Sequence, residues 1–124
     1  MIGLGVDLVD LDRFATVLDR RANFTLRVYT PGERDYCEQA KGAGKRVERY
    51  AVRFAAKEAV MKALGVGLGA FAFHDVEIER AESGDPTITL RRNAAAIAAE
   101  RGAASWHVAL SHSDAVAIAV VAVE

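Results

Sequence analysis

The chain has 124 residues, of which 52% are hydrophobic and 27% are charged, with a formal net charge of -1. This composition indicates one globular domain over residues 1–124, and it excludes both a disordered chain and a nucleic-acid binder with a uniformly basic face. The single cysteine, Cys37, cannot form an internal disulfide, and no signal segment or apolar run of ~20 residues is visible, so we expect a cytoplasmic protein without a membrane span.

The first residues, Met1 to Val9, alternate between two faces and predict a β-strand. Its aliphatic face carries four residues: Ile2, Leu4, Val6 and Leu8. The opposite face is lined by glycines and carries Asp7. A carboxylate there is either the N-cap of the next helix or a ligand of a hard metal ion. Since Asp10 and Asp12 can cap the helix, the metal interpretation of Asp7 is favoured.

Two helices and a shorter segment are predicted next. Apolar spacing indicates a helix from about Asp10 to Arg20, with Arg13 on its polar side. Residues 23–29 form either a turn or a short helix. A capping box with proline at the first helical position, Thr30 to Glu33, begins a helix that we expect to end near Lys41.

The segment Gly42-Ala43-Gly44 is expected to separate that helix from a central one. Lys45, Arg46 and Arg49 follow and make a basic approach to the central helix. This approach is either a solvated face or part of a phosphate site, and the solvated face is the favoured interpretation.

The run from Arg53 to Leu64 predicts the central helix, which Gly65 ends. Glu58 and Lys62 are one turn apart on one side of it, and Arg53 and Lys57 lie on another stripe. A third stripe contains small residues only, which allows another backbone to approach closely: Ala56, Ala59 and Ala63. A Glu–Lys pair at this spacing is commonly a surface ion pair worth ~0.3–0.5 kcal/mol. The helix alone therefore does not establish a function.

The second half of the chain alternates strands and one helix. Glycines at every second position, Gly65 to Gly69, make either a mobile linker or a loop that approaches a ligand closely. Residues 76–79 and 87–90 predict a hairpin, residues 93–100 an alanine-rich helix, and residues 106–110 and 116–123 a second hairpin. We therefore expect an α+β fold in which a small antiparallel sheet packs with about four helices.

Three segments together resemble a known enzyme family. The central run FAAKEAVMKALG, residues 54–65, resembles the signature of the 4′-phosphopantetheinyl transferases, and the resemblance extends to Gly5-Val6-Asp7 and to WHVALSH, residues 106–112. It is strongest for the short, single-domain holo-(acyl-carrier-protein) synthase type. The resemblance implies that fold, and it implies transfer of the phosphopantetheine arm of coenzyme A to a serine of an acyl carrier protein or carrier domain. Adenosine 3′,5′-bisphosphate would be released, and fatty acid biosynthesis supported.

The resemblance also implies roles for individual residues. Asp7 and Glu58 would hold Mg²⁺, or Mn²⁺, with water in place of the acidic ligand that larger relatives have at the position of Val9. Lys62 would neutralise charge on the pyrophosphate. Glu58 or a metal-bound hydroxide would take the serine proton, and Asp7 is a third choice. Arg53 resembles the arginine that meets the phosphate end of the nucleotide.

The remaining expected contacts with coenzyme A are spread over the chain. Lys57 would lie at the rim of the cleft or in a structural ion pair, and Gly65 would allow close approach. His107 and Ser111 belong to the strand that lines the coenzyme A pocket in the family. Ala109 departs from the serine common in the family, and His112 is interpreted as a turn residue.

Arg13 resembles the family arginine on the helix that docks the acidic carrier protein, although a solvated helix residue is nearly as good an interpretation. Because the short branch is trimeric and a small sheet leaves exposed edges, we expect a homo-oligomer, most simply a trimer. Two other functions remain open: a coenzyme A or nucleotide-binding module that has no need of Asp7 and Glu58, and a structural subunit that binds no coenzyme A.

Overall fold

The computed structural model describes residues 2–124, so Met1 of the predicted first strand lies outside it. In this range the chain forms five α-helices: α1 (Leu11–Arg20), α2 (Phe24–Val28), α3 (Pro31–Glu38), α4 (Ala43–Leu64) and α5 (Arg92–Glu100). The five strands are β1 (Gly3–Asp10), β2 (Val76–Arg80), β3 (Pro86–Leu90), β4 (Trp106–His112) and β5 (Val116–Val123). The predicted α+β class is confirmed, with one helix more than expected because residues 24–28 are helical.

The strands form two antiparallel sheets. The larger has the order β1-β5-β4, and the smaller is the β2-β3 hairpin. In the larger sheet Asp7 pairs with Ala119, which in turn pairs with Leu110 on β4. Helix α4 packs across this sheet and also contacts β2, so it is the central element of the molecule. Of the part of the chain that the structure describes, no helix has the length and apolarity that a bilayer crossing requires.

Helix α4 begins earlier than the sequence predicted. The break was expected at residues 42–44, but the helix already begins at Ala43 and runs for 22 residues. Helix α3 ends at Glu38 and not near Lys41, so residues 39–42 separate the two helices, and the last of them, Gly42, has a φ of 98° that glycine adopts readily. The basic residues 45–49 therefore belong to the central helix itself. Gly65 ends the helix in the left-handed conformation, with φ of 72°, as predicted.

Strand β1 lies directly against α4 because its inward face has no side chains at two positions. A Cβ atom added at Gly5 would lie 1.9 Å from the carbonyl oxygen of Ala59, and one added at Gly3 would lie 1.9 Å from that of Ala63. Both alanines are buried. The predicted small-residue stripe thus receives the glycine face of the first strand, and this contact brings Asp7 to the charged side of the helix.

The outward face of the larger sheet is apolar and exposed. Leu4, Val6 and Leu8 of β1 are 61%, 50% and 58% exposed, and Val120 of the central strand β5 is 38% exposed. The pairing places Val120 between Val6 and Ala109, so these side chains form one continuous surface. Exposed apolar surfaces of this kind are typical of protein–protein contact regions.

We predict that Gly5→Ala lowers the free energy of unfolding by at least about 3 kcal/mol, because the new methyl group forces β1 away from α4. Gly44→Ala is the matched control, since no atom lies within 4 Å of the position where its Cβ would be. We expect this variant to stay within about 1 kcal/mol of the wild type or to gain stability. Urea unfolding followed by circular dichroism measures both, and equal stabilities would contradict the packing account.

Candidate active site

Three predicted residues meet where β1 crosses α4. The Lys62 ammonium donates hydrogen bonds to Oδ1 of Asp7 and to the carbonyl oxygen of Val6, each over 3.0 Å. Glu58 lies one helical turn before Lys62. Burial raises the pKa of the Glu58 carboxyl, the Asp7 carboxylate raises it further, and Lys62 acts in the opposite direction. Two carboxylates and one ammonium therefore share a small, partly buried space.

This group of charges has the chemistry of a hard-cation site. Burial first, and then the like charge of Asp7, raise the pKa of Glu58, and Lys62 opposes these two effects less strongly. Mg²⁺ takes oxygen ligands and is often held by one or two protein carboxylates, with water and substrate phosphate completing the shell. Within residues 2–124 no cluster of three or more candidate ligand side chains is formed. A magnesium ion that is shared with a phosphate substrate fits these donors better than a zinc ion does.

Lys57 lies on the other side of α4 and is fully buried. Its ammonium is 2.7 Å from Oε1 of Glu33, and it donates to the carbonyl oxygens of Phe73, over 3.1 Å, and of Val76. Burial lowers the pKa of Lys57, and Glu33 opposes that shift. Of the two roles that the sequence left open, these contacts describe the structural ion pair. The side chain does not reach the rim of the cleft in this structure.

Glu33, the partner of Lys57, is equally well satisfied. Its Oε1 also accepts a hydrogen bond from the backbone N–H of Thr30 over 2.9 Å, which closes the predicted capping box, and its Oε2 accepts from the N–H of Ile78 over 2.8 Å. The pair therefore joins α3, α4 and β2 in the interior.

A cleft of about 510 Å³ opens between α4, the β2-β3 hairpin and β4. Its wall is strongly basic, with four cationic residues: Lys45, Arg49, Arg53 and Arg80. The apolar part of the wall comes from Val52, Val108 and Leu110. Lys45 and Arg49, for which the sequence favoured a solvated face, therefore line the cleft.

Arg53 has an unusual environment for a charged residue. It is only 4% exposed, and its Nε is buried without a hydrogen-bond partner. One further guanidinium nitrogen donates to the carbonyl oxygen of Arg49 over 3.3 Å. A buried guanidinium with an unpaired donor at the wall of a cleft is suited to bind an anion, because an added phosphate or carboxylate would pair with it.

Gly65 lies beside Lys62 at the end of α4. A second cavity, of about 590 Å³, is lined by Lys62, Gly65 and Arg101 together with the first residues of β1. The Arg101 guanidinium donates to the carbonyl oxygen of Leu64, which places another cation at this helix end. Gly65 therefore borders open space next to Lys62.

The residues of β4 that the sequence singled out lie on opposite faces of the strand. His107 and Ser111 are exposed on the outward, apolar face of the sheet, and His107 Nε2 is 3.8 Å from Oε2 of Glu124. His112 instead lines the basic cleft, where its Nδ1 is 3.2 Å from Oε1 of Glu48. Interpreting His112 as a turn residue overlooked this position. In a strand every second residue lies on the same face, so His112 shares a face with Val108 and Leu110, which line the same cleft. This pattern could have predicted the position of His112 from the sequence.

The last predicted residue, Arg13, is exposed in the first turn of α1, where its backbone N–H donates to Oδ2 of the N-cap Asp10 over 2.9 Å. Arg20 and Arg21 are also exposed at the end of this helix. Most predicted site residues therefore lie in three separate places: the charged triad of Asp7, Glu58 and Lys62, the basic cleft, and the outward strand face. Lys57 in the interior and Arg13 on α1 belong to none of them.

Residues 3–121 match the model of the 4′-phosphopantetheinyl transferase superfamily. The chain is 44% identical over 124 residues to the holo-[acyl-carrier-protein] synthase of Frankia alni, and it covers 98% of that protein. It is 40% identical over 126 residues to the holo-[acyl-carrier-protein] synthase of Koribacter versatilis, again covering 98% of the relative.

Solved structures agree with these relatives. The holo-[acyl-carrier-protein] synthase of Neisseria meningitidis superposes with a TM-score of 0.87 at 31% identity, covering 100% of this chain and 99% of its own. The enzyme of Bacillus anthracis, solved in complex with CoA (3′,5′-ADP), superposes with a TM-score of 0.82 at 32% identity, covering 98% of this chain and 95% of its own. By sequence and by fold, this chain belongs to the 4′-phosphopantetheinyl transferase superfamily, among the holo-[acyl-carrier-protein] synthases.

Proposed function

We propose that this protein is a magnesium-dependent transferase of one domain, residues 1–124. It transfers the 4′-phosphopantetheine arm of coenzyme A to a serine of an acyl carrier protein, or of a carrier domain, in support of fatty acid biosynthesis in the cytoplasm. The observation that carries the proposal is the meeting of Asp7, Glu58 and Lys62 beside a basic cleft. The relatives support the proposal, because they are named holo-[acyl-carrier-protein] synthases and this chain aligns with nearly their whole length.

In the proposed reaction the serine oxygen attacks the phosphorus that bears the pantetheine arm, and the bond from that phosphorus to the bridging oxygen breaks. Adenosine 3′,5′-bisphosphate leaves with the bridging oxygen and its electron pair. Among the residues of the triad we assign the serine proton to the Glu58 carboxylate, which is a proton acceptor beside the phosphate site. Lys62 would place its ammonium beside the phosphates, where negative charge develops in the transition state.

Asp7 and Glu58 would hold Mg²⁺, which supplies further positive charge to the pyrophosphate when it is bound. Val9, two positions after Asp7, is partly buried against the apolar core and offers no ligand atom. The nucleotide would occupy the basic cleft with its phosphate end at Arg53. Lys57 would contribute indirectly, by fixing the position of α4.

The direct test is intact mass spectrometry of an acyl carrier protein after incubation with this protein, coenzyme A and Mg²⁺. We expect the carrier mass to rise by one phosphopantetheine arm, and we expect EDTA to prevent the increase. A carrier in which the acceptor serine is replaced by alanine is the control and should not change. An unmodified wild-type carrier across several acyl carrier proteins would contradict the function.

We predict that Glu58→Gln reduces turnover by roughly 100-fold or more, because a neutral amide is a poor ligand and a poor base. The same change should stabilise the metal-free fold near neutral pH. The pKa of Glu58 is higher in the folded than in the unfolded chain, so this carboxyl destabilises the fold increasingly as the pH rises from the unfolded pKa to the folded pKa, and not below the unfolded pKa. The gain should therefore disappear in acid. Turnover against Mg²⁺ concentration and urea unfolding in EDTA measure the two effects, and wild-type turnover would contradict the assignment.

For the carrier protein we propose a docking surface at Arg13, because it is exposed on α1 near two further arginines. Arg13→Glu is predicted to weaken use of an acidic carrier about tenfold at low salt, and less at high salt. The affinity for coenzyme A, measured by calorimetry, should stay within about twofold of the wild type. Equal losses for both substrates would place Arg13 in the nucleotide site instead.

We also propose that the outward sheet face is covered by further copies of the chain, most simply in a trimer. The exposed Leu4, Val6 and Leu8 support this proposal, because each is at least 50% exposed in the single chain. His107 and Ser111 lie on the same face. In such an assembly they would reach a neighbouring copy and could contact its coenzyme A, so each active site would be shared between chains.

Val120→Lys is predicted to convert the oligomer to monomers, because it places an ammonium in the middle of the apolar face. Leu26→Lys is the control: Leu26 is 55% exposed on α2, away from this face, and its replacement should leave the mass unchanged. Multi-angle light scattering reports the mass of each variant. A wild-type monomer at working concentration would contradict the proposed assembly.

A further inference from the structure

Tyr36, on α3, is the centre of an arrangement of arginines in the basic cleft. Three guanidinium carbons lie over its ring, at 4.1 Å for Arg49, 4.4 Å for Arg53 and 5.2 Å for Arg80. The Tyr36 hydroxyl accepts a hydrogen bond from Arg80 over 3.1 Å, and its backbone carbonyl accepts one from Arg49 over 2.7 Å. One residue therefore contacts three cations that come from α4 and from β2.

These three arginines differ from the five cations of the protein that carboxylates hold. Arg46, Lys57, Lys62, Arg91 and Arg92 each form an ion pair with a carboxylate. Among residues 2–124, no such pair involves Arg49, Arg53 or Arg80. Glu48 and Asp85 also line the cleft, but Glu48 faces His112 and Asp85 accepts from the Ser83 hydroxyl.

Three unpaired guanidiniums in one place repel each other, and that repulsion must be offset for the arrangement to persist. The negative face of an aromatic ring attracts a cation without donating or accepting a proton, so the Tyr36 ring can hold the arginines together. Because the ring takes no N–H donor from them, the guanidinium donors that are not already in hydrogen bonds remain available. The unused, buried Nε of Arg53 is the clearest sign of that spare capacity.

We propose that Tyr36 is a positioning residue whose ring holds Arg49, Arg53 and Arg80 as a preformed receptor for the 3′-phosphate of coenzyme A. A phosphate dianion carries enough charge and enough acceptor oxygens to satisfy several guanidiniums at once. Preassembly lowers the entropic cost of ordering three long side chains when the ligand binds. The inference rests on the proposed function, because it requires coenzyme A as the ligand of the cleft.

The test compares two ligands that differ only in the phosphate: coenzyme A and 3′-dephospho-coenzyme A. For the wild type we expect calorimetry to show much tighter binding of coenzyme A. Tyr36→Leu should weaken coenzyme A binding about tenfold, which equals about 1.4 kcal/mol, while the affinity for the dephosphorylated ligand changes less than about twofold. In turnover assays the KM for coenzyme A should rise while kcat is retained. Tyr36→Phe keeps the ring and should keep most of the discrimination.

A substitution that only disturbs the fold would lower the affinities for both ligands by the same factor. Val28→Ala is the control for that case. Val28 is buried in the core away from the cleft, so this variant should lose stability but keep the wild-type ratio of the two affinities. Tyr36→Met repeats the comparison with an unbranched side chain should the leucine variant be unstable.

The possible outcomes separate the inference from the function it rests on. Discrimination that falls in Tyr36→Leu and survives in Tyr36→Phe supports the receptor. Equal losses for both ligands in Tyr36→Leu, or a wild type that binds both ligands alike, would overturn it and leave the transferase function standing. A wild type that binds no coenzyme A at all would overturn both.

Discussion

The contact between the glycine face of β1 and the alanine stripe of α4 determines where every charged group of the triad lies. Gly3 and Gly5 have no room for a side chain against Ala63 and Ala59, so the backbones touch. Because of this close approach, Asp7, two residues after Gly5, lies beside the face of α4 that carries Glu58 and Lys62. The strand contributes one carboxylate and the helix the other, so a site of two carboxylates exists only while the two elements stay packed.

Helix α4 places its cations in three different physical environments, and this division explains their roles. Lys57 is buried and fully satisfied by Glu33 and two carbonyl oxygens, which is the expected state of a structural ion pair. Arg53 is nearly as buried but keeps an unused donor at the cleft. Lys62 is largely exposed and faces Asp7. Burial alone therefore does not separate structural from functional charge; the number of satisfied donors does.

Much of this architecture could be predicted from local patterns. Period-2 alternation, the capping box at Thr30 and the glycine after Leu64 depend on residues close in sequence, and the structure has each of them. The predicted start of α4 was wrong because Ala43 and Gly44 are part of the helix, whereas the low helix propensity of glycine had indicated a break there. The partner of Lys57 is 24 positions away on another helix, and the ring of Tyr36 meets arginines from two elements. Such contacts depend on tertiary packing, which periodicity does not encode. The family motif singled out β4, and the alternation of this strand places His112 at the cleft and His107 on the outward face.

The central claim is that Asp7 and Glu58 form one cation site beside the phosphates of coenzyme A. Crystals grown with Mn²⁺ and coenzyme A would test it directly, because manganese scatters anomalously and also prefers oxygen ligands. The account predicts an anomalous difference peak within bonding distance of both carboxylates and of a pyrophosphate oxygen, with the nucleotide phosphate in the cleft of Arg53. A peak that lies away from Asp7 and Glu58, or coenzyme A bound with no metal between them, would contradict it.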